Sequence, residues 1–400
     1  MALEKTWRWF GFNDPITLDD LVQIGVQGIV TSLHHIPSGE IWEVEEIMKV
    51  KTAIEQKGLH WSVVESLPVT EGIKIQSTDR PRLIKNYQQS LRNLGKCGID
   101  TVCYNFMPVL DWARTNLQYK LKNGGESMYF DFPTFIAFDA YILKRPGAEN
   151  DYPAEQVEKA RKIFENMTSE EAERLAYNII VVTQGFIHGV IDGSVTDPKG
   201  LFLQFIKRYE HIDKNKLREN LKAFLDDVIP VAEEARVMLC IHPDDPPFPV
   251  LGLPRIIGQI EDLEWLIEAN PSPNNGITFC AGSLSARKDN NLVEIVEKIG
   301  HRIQFIHLRN TQLNVDGSFY ESGHLEGTQD MVAIMTALLK EQKKRISQGR
   351  KDFRMPLRPD HGIKMLSDYD KKYNPGYPLI GRLKGLAELD GLMKGIESFI

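Results

Sequence analysis

The stretch "MPLRPDHG", Met355–Gly362, decides the fold. It opens as a short apolar segment and closes on Arg358, Asp360 and His361, with a glycine behind them. Seven other stretches have strand length and composition: "TWRWFGF" (Thr6–Phe12), "GIVTSLHHI" (Gly28–Ile36), "LHWSVVES" (Leu59–Ser66), "DTVCYNFM" (Asp100–Met107), "RVMLCIHP" (Arg236–Pro243), "GITFCAG" (Gly276–Gly282) and "IQFIHLRN" (Ile303–Asn310). Amphipathic segments follow nearly all of them, at Val44–Lys57, Arg80–Cys97, Lys216–Ala235, Pro254–Glu268, Asn290–Ile299, Thr328–Gln348 and Gly381–Ile400. Alternating strand and helix signals predict parallel strands joined by crossover helices. A doubly wound open sheet is the alternative, but eight strands favour closure. The expected fold is therefore α/β: one (β/α)8 TIM barrel domain over residues 1–400.

One gap breaks the rhythm. Residues 108–214 separate the fourth strand from its helix and read as a long, mostly helical insertion on the C-terminal face of the barrel. A loop of that length is seldom structureless in a compact domain. Within it, "TSEE" at Thr168–Glu171 has capping-box spacing for a helix start.

Composition narrows the function. The chain has 400 residues, 42% of them hydrophobic, enough for one large core or two ordinary ones. No apolar run approaches the roughly 18 residues needed to cross a bilayer. The N-terminal "MALEKTWRWFGFNDP" lacks the basic-then-apolar order of a secretory signal, so a cytoplasmic protein without membrane contact is expected. A formal net charge of −7 argues against a nucleic-acid partner. The longest basic cluster, "KEQKKR" (Lys340–Arg345), is expected on the solvated face of a helix. The four cysteines, Cys97, Cys103, Cys240 and Cys280, fit a reducing compartment without a disulfide framework. Phosphate-loop, dinucleotide and H-E-x-x-H signatures are absent.

In such barrels the chemistry sits where the strands end. There the sequence places His242, Cys280, His307 with Arg309, and Arg358 with Asp360 and His361. Residues two apart share a face of a strand, so His307 and Arg309 point together, as do Arg358 and Asp360. His242, Cys280, His307 and Asp360 come from four consecutive strands, and closure brings their tips together. Two imidazoles, a thiolate and a carboxylate make a metal-binding set. Each has an ordinary alternative when taken singly: a hydrogen-bonded strand-end histidine, a core cysteine, a loop-capping aspartate. Four at one depth on neighbouring strands are harder to explain separately. Cys240, two residues below His242, is expected in the core. A carboxylate and open positions suit Fe²⁺ or Mn²⁺, and zinc stays open. Arg309 and Arg358 offer forks for a substrate carboxylate, or ion pairs at the mouth. Arg8, His34, Glu65 and Asn105 are weaker substrate-binding candidates at other strand ends. Asp244 or Asp245 either orients a ligand or begins the loop.

The residues also carry a resemblance. "TWRWFG", "SLHHIPSGE", "WSVVES", "NLGKCGIDTVCYNFMPVLDWARTNL", "ILKRPGAE", "IHPDDPPFPVLGLPRI", "RPDHG" and "NPGY", followed by "IGRLKGLAE", are similar in kind and order to the metal-dependent D-mannonate dehydratase family, from Thr6 to about Leu389. That family has a xylose-isomerase-like barrel. The resemblance implies loss of water from D-mannonate to give 2-keto-3-deoxy-D-gluconate in hexuronate catabolism, with Mn²⁺ or Fe²⁺ as cofactor. It implies His242, Cys280, His307 and Asp360 as metal ligands, and His361 of "DHG" and Tyr377 of "PGY" as acid and base in an unassigned order. The "NPG" before Tyr377 is expected to turn the chain back over the mouth, and Gly362 to let it leave strand eight. A homo-oligomer, taken as a dimer, is the expected assembly. Rival readings are a sugar isomerase on the same barrel, an abasic-site endonuclease and a non-catalytic sugar-acid sensor. More carboxylate ligands would mark the first, a basic face the second, and metal binding without turnover the third.

Overall fold

The computed structural model describes residues 3–185, 191 and 193–400. Among these, strands run in the order β1 (Thr6–Arg8), β2 (Gly28–Thr31), β3 (His60–Glu65), β4 (Thr101–Tyr104), β5 (Asn116–Lys120), β6 (Glu126–Phe130), β7 (Met238–Ile241), β8 (Asn275–Cys280), β9 (Ile303–His307), β10 (Asn310–Leu313), β11 (Phe319–Ser322) and β12 (Leu357–Arg358). Eight of them form one parallel sheet in the order β1-β2-β3-β4-β7-β8-β9-β12. The last strand returns to the first: Lys5 bridges Leu357 in parallel, the Leu357 amide donates to the Glu4 carbonyl at 2.8 Å, and Thr6 Oγ1 donates to the Leu357 carbonyl at 2.9 Å. These contacts complete the TIM barrel.

The strands are buried on both faces, as β-branched and apolar runs in a parallel sheet require. Inside the barrel, Val30, Val63, Cys103, Cys240 and Phe305 form a dry floor, which places Cys240 in the core as expected. Outside, helix Lys214–Ala235 presses Phe224 against Tyr87, Tyr104 and Phe106, with ring centroids 5.1, 5.5 and 5.8 Å away. Strands end earlier than their apolar patterns suggest. β2 stops at Thr31, so His34 and His35 lie in the following loop, where the exposed His35 pairs with Glu46 at 2.9 Å. β12 is held to two residues between Pro356 and Pro359, which have no amide to give the ladder.

The stretch between β4 and helix Lys214–Ala235 contains helices Phe132–Ala137, Ala154–Glu165, Ser169–Tyr177 and Pro198–Lys207. Thr168 caps the third, accepting from the Glu171 amide while the Glu171 carboxylate accepts from the Thr168 amide. The same stretch also contributes hairpin β5–β6. It joins hairpin β10–β11, from the loop after β9, in an antiparallel sheet of order β10-β11-β6-β5. A ladder of Tyr119, Tyr129 and Tyr320 spans it, with centroids 4.7 and 5.3 Å from Tyr119. This sheet was not anticipated, and it supplies residues to the site.

The basic cluster also differs from expectation. Lys340, Lys343 and Lys344 are exposed on helix Met331–Ser347, but Glu341, Gln342 and Arg345 face inward. Arg345 is fully buried and donates to the carbonyls of Gly300 and Ile303 at 2.6 and 2.7 Å.

Candidate active site

The barrel mouth is a cavity lined by Arg8, Phe10, Glu65, Asn105, Asp111, Trp112, His242, Asp245, Arg309, Arg358, Asp360, His361 and Tyr377, among others. Residues from six of the eight barrel strands or the loops just beyond them meet here, as the C-terminal ends of parallel strands must.

His242 follows β7 directly. Its Nδ1 donates to the Pro243 carbonyl at 2.7 Å, which leaves Nε2 with its lone pair turned inward. That Nε2 lies 3.2 Å from Nδ1 of His307 at the end of β9. Cys280, the last residue of β8, completes a group whose ligand atoms all lie within 4.8 Å of one another. Burial works to lower the His242 imidazole, but the Cys280 sulfur beside it dominates and pushes it up to about 10. Burial and then Arg358 hold His307 well below its ordinary value. Two nitrogens bound to one divalent ion at about 2.1 Å stand roughly 3 Å apart, so the donor set fits a metal. Among the described residues this is the one such group.

Asp360 stands next to it, with Oδ2 3.7 Å from the Cys280 sulfur. Its carboxylate is gripped by two arginines: Arg309 Nε at 2.6 Å and Arg358 NH1 at 2.6 Å. Burial would raise it, but Arg358, His361 and Arg309 hold it well below the usual carboxylate range. Its backbone sits at φ 54°, a left-handed conformation uncommon outside glycine and typical of functional sites. The turn out of strand eight is therefore made by Asp360, not by Gly362. Gly362 serves close approach instead: a Cβ there would lie 2.6 Å from the Arg382 amide nitrogen of the C-terminal helix.

His361 and Tyr377 face each other edge-on, 5.1 Å between ring centroids at 80°. Asn374-Pro375-Gly376-Tyr377 is a tight turn, closed by the Tyr377 amide donating to the Asn374 carbonyl at 3.0 Å with Gly376 at φ 80°. Phe10 packs edge-on to the Tyr377 ring at 4.9 Å, and Arg382 stacks over it at 5.1 Å. Burial raises the Tyr377 hydroxyl above its ordinary value.

Arg309 does not present the open fork expected of a substrate clamp. Its Nε, NH1 and NH2 bind Asp360, Glu321 and Asp245 at 2.6, 2.6 and 2.5 Å. Three buried carboxylates around one guanidinium leave nothing for a fourth. Arg358 and Arg8 share Glu65, at 2.8 and 3.0 Å. Arg8 Nε is buried without a partner at the cavity wall. Asn105 donates to Asp111, and His34 lies behind Phe10 (centroids 5.8 Å) rather than on the cavity wall. Asp244 and Asp245 divide their work. Asp244 Oδ2 accepts from the amides of Ile256 and Ile257 at 2.7 and 2.8 Å and fixes the loop. Asp245 reaches Ser283, at 3.2 Å, whose hydroxyl in turn lies 3.2 Å from the Cys280 sulfur.

Known proteins match this chain from end to end. The family model described as D-mannonate dehydratase (UxuA) matches residues 3–400. The chain belongs to this family. A mannonate dehydratase of Marinomonas sp. (strain MWYL1) is 49% identical over 397 residues, covering 99% of this chain and 100% of that protein. One of Chromohalobacter salexigens is 49% identical over 396 residues, covering 99% of each. The crystal structure of mannonate dehydratase from Streptococcus suis serotype 2 superposes with a TM-score of 0.76 at 32% identity, over 100% of this chain and 96% of that one. A xylose isomerase domain protein of Planctomyces limnophilus, 11% identical with a TM-score of 0.50 over 99% of this chain and 98% of that one, shares the fold.

Two members of the site escaped sequence reasoning in this D-mannonate dehydratase family chain. Arg114, fully buried, binds Asp245 at 2.8 and 3.1 Å and Glu321 at 2.8 Å. Glu321 on β11 accepts from Arg114, Arg309 and His361 Nδ1, the last at 3.1 Å. Neither lies at a barrel strand end, the one signal the sequence offered.

Proposed function

We propose that this mouth dehydrates D-mannonate to 2-keto-3-deoxy-D-gluconate, with His242, Cys280, His307 and Asp360 holding Mn²⁺ or Fe²⁺ and with His361 and Tyr377 moving the protons. The observation that carries this reading is the convergence of three possible metal donors within 4.8 Å, one of which, His242, lines the cavity with His361 and Tyr377. When bound, the metal supplies Lewis acidity toward the substrate carboxylate and an adjacent hydroxyl, which eases loss of the C2 proton. Asp360, beside the Cys280 sulfur, would be the fourth residue to hold such an ion. Arg8 and Arg358, on the wall around Glu65, orient the sugar-acid carboxylate. One of His361 and Tyr377 removes the C2 proton and the other protonates the departing C3 hydroxyl.

The charge balance supports this substrate class. Arg8, Arg114, Arg309 and Arg358 interlock with Glu65, Asp245, Glu321 and Asp360, four charges of each sign in one buried lattice. An uncompensated buried charge is costly. A divalent ion, one thiolate and a monoanionic acid add to zero and leave the lattice neutral. The need for a Cys280 thiolate, and four free, buried cysteines, support work in a reducing cytosol.

The test is incubation of the metal-stripped, reduced protein with D-mannonate, alone and with Mn²⁺ or, anaerobically, Fe²⁺. A 2-keto-3-deoxy acid should form only with metal. No product with either ion would refute the reading.

A further inference from the structure

The order of duty between His361 and Tyr377 is open in the reading above, and the antiparallel sheet bears on it. Glu321 sits on β11, directly behind the His361 ring. Its Oε1 lies 3.1 Å from His361 Nδ1, while His361 Nε2 turns toward the mouth, 3.8 Å from Asp360 Oδ1. Glu321 cannot rotate away, because Arg309 and Arg114 bind the same oxygen at 2.6 and 2.8 Å. Burial would raise this carboxyl, but Arg309, His361 and Arg114 hold it at about 2. It is therefore an acceptor only. A nitrogen facing an ionised carboxylate carries the hydrogen, and in a neutral imidazole the other nitrogen then carries the lone pair. Trp112 and Tyr377 pack against the His361 ring, with centroids 5.7 and 5.1 Å away.

We propose that Glu321 is the positioning residue that fixes His361 in its Nδ1–H form and so presents Nε2 to the substrate as the proton acceptor. This rests on the dehydratase reading and completes it. His361 Nε2 takes the C2 proton, and the C2–H electron pair becomes the C2–C3 double bond. The C3–O bond breaks, and the Tyr377 hydroxyl gives its proton to the departing hydroxide, which leaves as water. The enol then tautomerises to the keto acid, and solvent exchange returns a proton from His361 to Tyr377.

Steady-state kinetics and nitrogen spectroscopy test this in the full chain. E321Q keeps the size of the side chain and an oxygen for the two arginines but removes the negative charge opposite Nδ1. It should lower kcat by about 10²-fold or more, with KM for D-mannonate and Mn²⁺ binding within about threefold of wild type. E321D, which restores the carboxylate, should recover part of kcat. In metal-free protein labelled with ¹⁵N-histidine at about pH 8, the His361 signal, assigned by its loss in H361N, should show a protonated Nδ1 and a bare Nε2. That measurement needs only folded wild type and H361N, so it stands even where an E321 variant fails to fold. A protonated Nε2 in wild type overturns the proposal, as does an E321Q kcat within threefold of wild type. H361N separates the two levels. Full activity in H361N sinks the acid–base reading of His361 itself, whereas an inactive H361N beside a fully active E321Q sinks only the role of Glu321.

Discussion

Replacement of Arg114 by Met removes the cation that ties the antiparallel sheet to the barrel. The guanidinium is fully buried, forks onto both oxygens of Asp245 at 2.8 and 3.1 Å, and reaches Glu321 at 2.8 Å. Removing one partner of a buried ion pair costs about 3–5 kcal/mol. Here both carboxylates keep Arg309, and Glu321 keeps His361, so the lower end, about 3 kcal/mol, is expected. The sign with pH follows from the same contacts. Burial acts to raise both carboxyls, but Arg114 and Arg309 hold Asp245 far below its ordinary value, and Arg309, His361 and Arg114 hold Glu321 at about 2. Depressed groups stabilise the fold above their unfolded values near 4 and lose that contribution as pH falls toward the folded ones. In R114M the folded values rise toward the ordinary ones, so the deficit is full at pH 7 and narrows as the pH falls below about 4 toward 2. Equilibrium urea unfolding of the metal-free protein, followed by tryptophan fluorescence at several pH values, reads both. A deficit below about 1 kcal/mol at pH 7, or one that stays constant as pH falls, refutes the reasoning. R114K keeps the charge but loses the fork, and should fall between.

Three further outcomes follow from the same coordinates. C280S should weaken Mn²⁺ binding by at least about 10²-fold, read by titration calorimetry and by loss of the metal-induced rise in melting temperature. G381A should lower the melting temperature and kcat together, because its Cβ would fall 1.8 Å from the Ile363 carbonyl oxygen and push the C-terminal helix off the loop after β12 that carries His361, whereas G391A, open on the same helix, should stabilise by about 0.5–1 kcal/mol. F224A, which empties a fully buried aromatic cluster outside the barrel, should cost about 3–5 kcal/mol by chemical denaturation and leave kcat of the surviving fold near wild type.

The barrel and the group of residues that could hold a metal were legible because each depends on one local pattern. An apolar run of strand length must be buried on both faces, and the first polar side chain beyond it must stand at the mouth. His242, Cys280 and His307 obey that rule one strand at a time. The antiparallel sheet obeys no such rule. Its two hairpins meet only in the folded chain, and Arg114 and Glu321 pair across 207 positions of sequence. β5 alternates exposed and half-buried residues, a pattern too weak to separate a hairpin from polar loop.

Arg309 shows where strand periodicity stops informing. Alternation with His307 gave its direction, since its guanidinium does reach the site. Direction does not name a partner. A guanidinium that ends at a fully wet mouth would keep its donors for substrate, but Arg309 is 2% exposed, and at that depth every charge must be matched from within the protein. Asp245 from the loop after β7, Glu321 from β11 and Asp360 from the turn after β12 meet that requirement together. The residue that looked like a clamp is instead the hub through which Asp360 and the carboxylate behind His361 share one cation. Substitution there should disturb both ends at once, the Asp360 carboxylate beside the Cys280 sulfur and the Glu321 carboxylate behind His361.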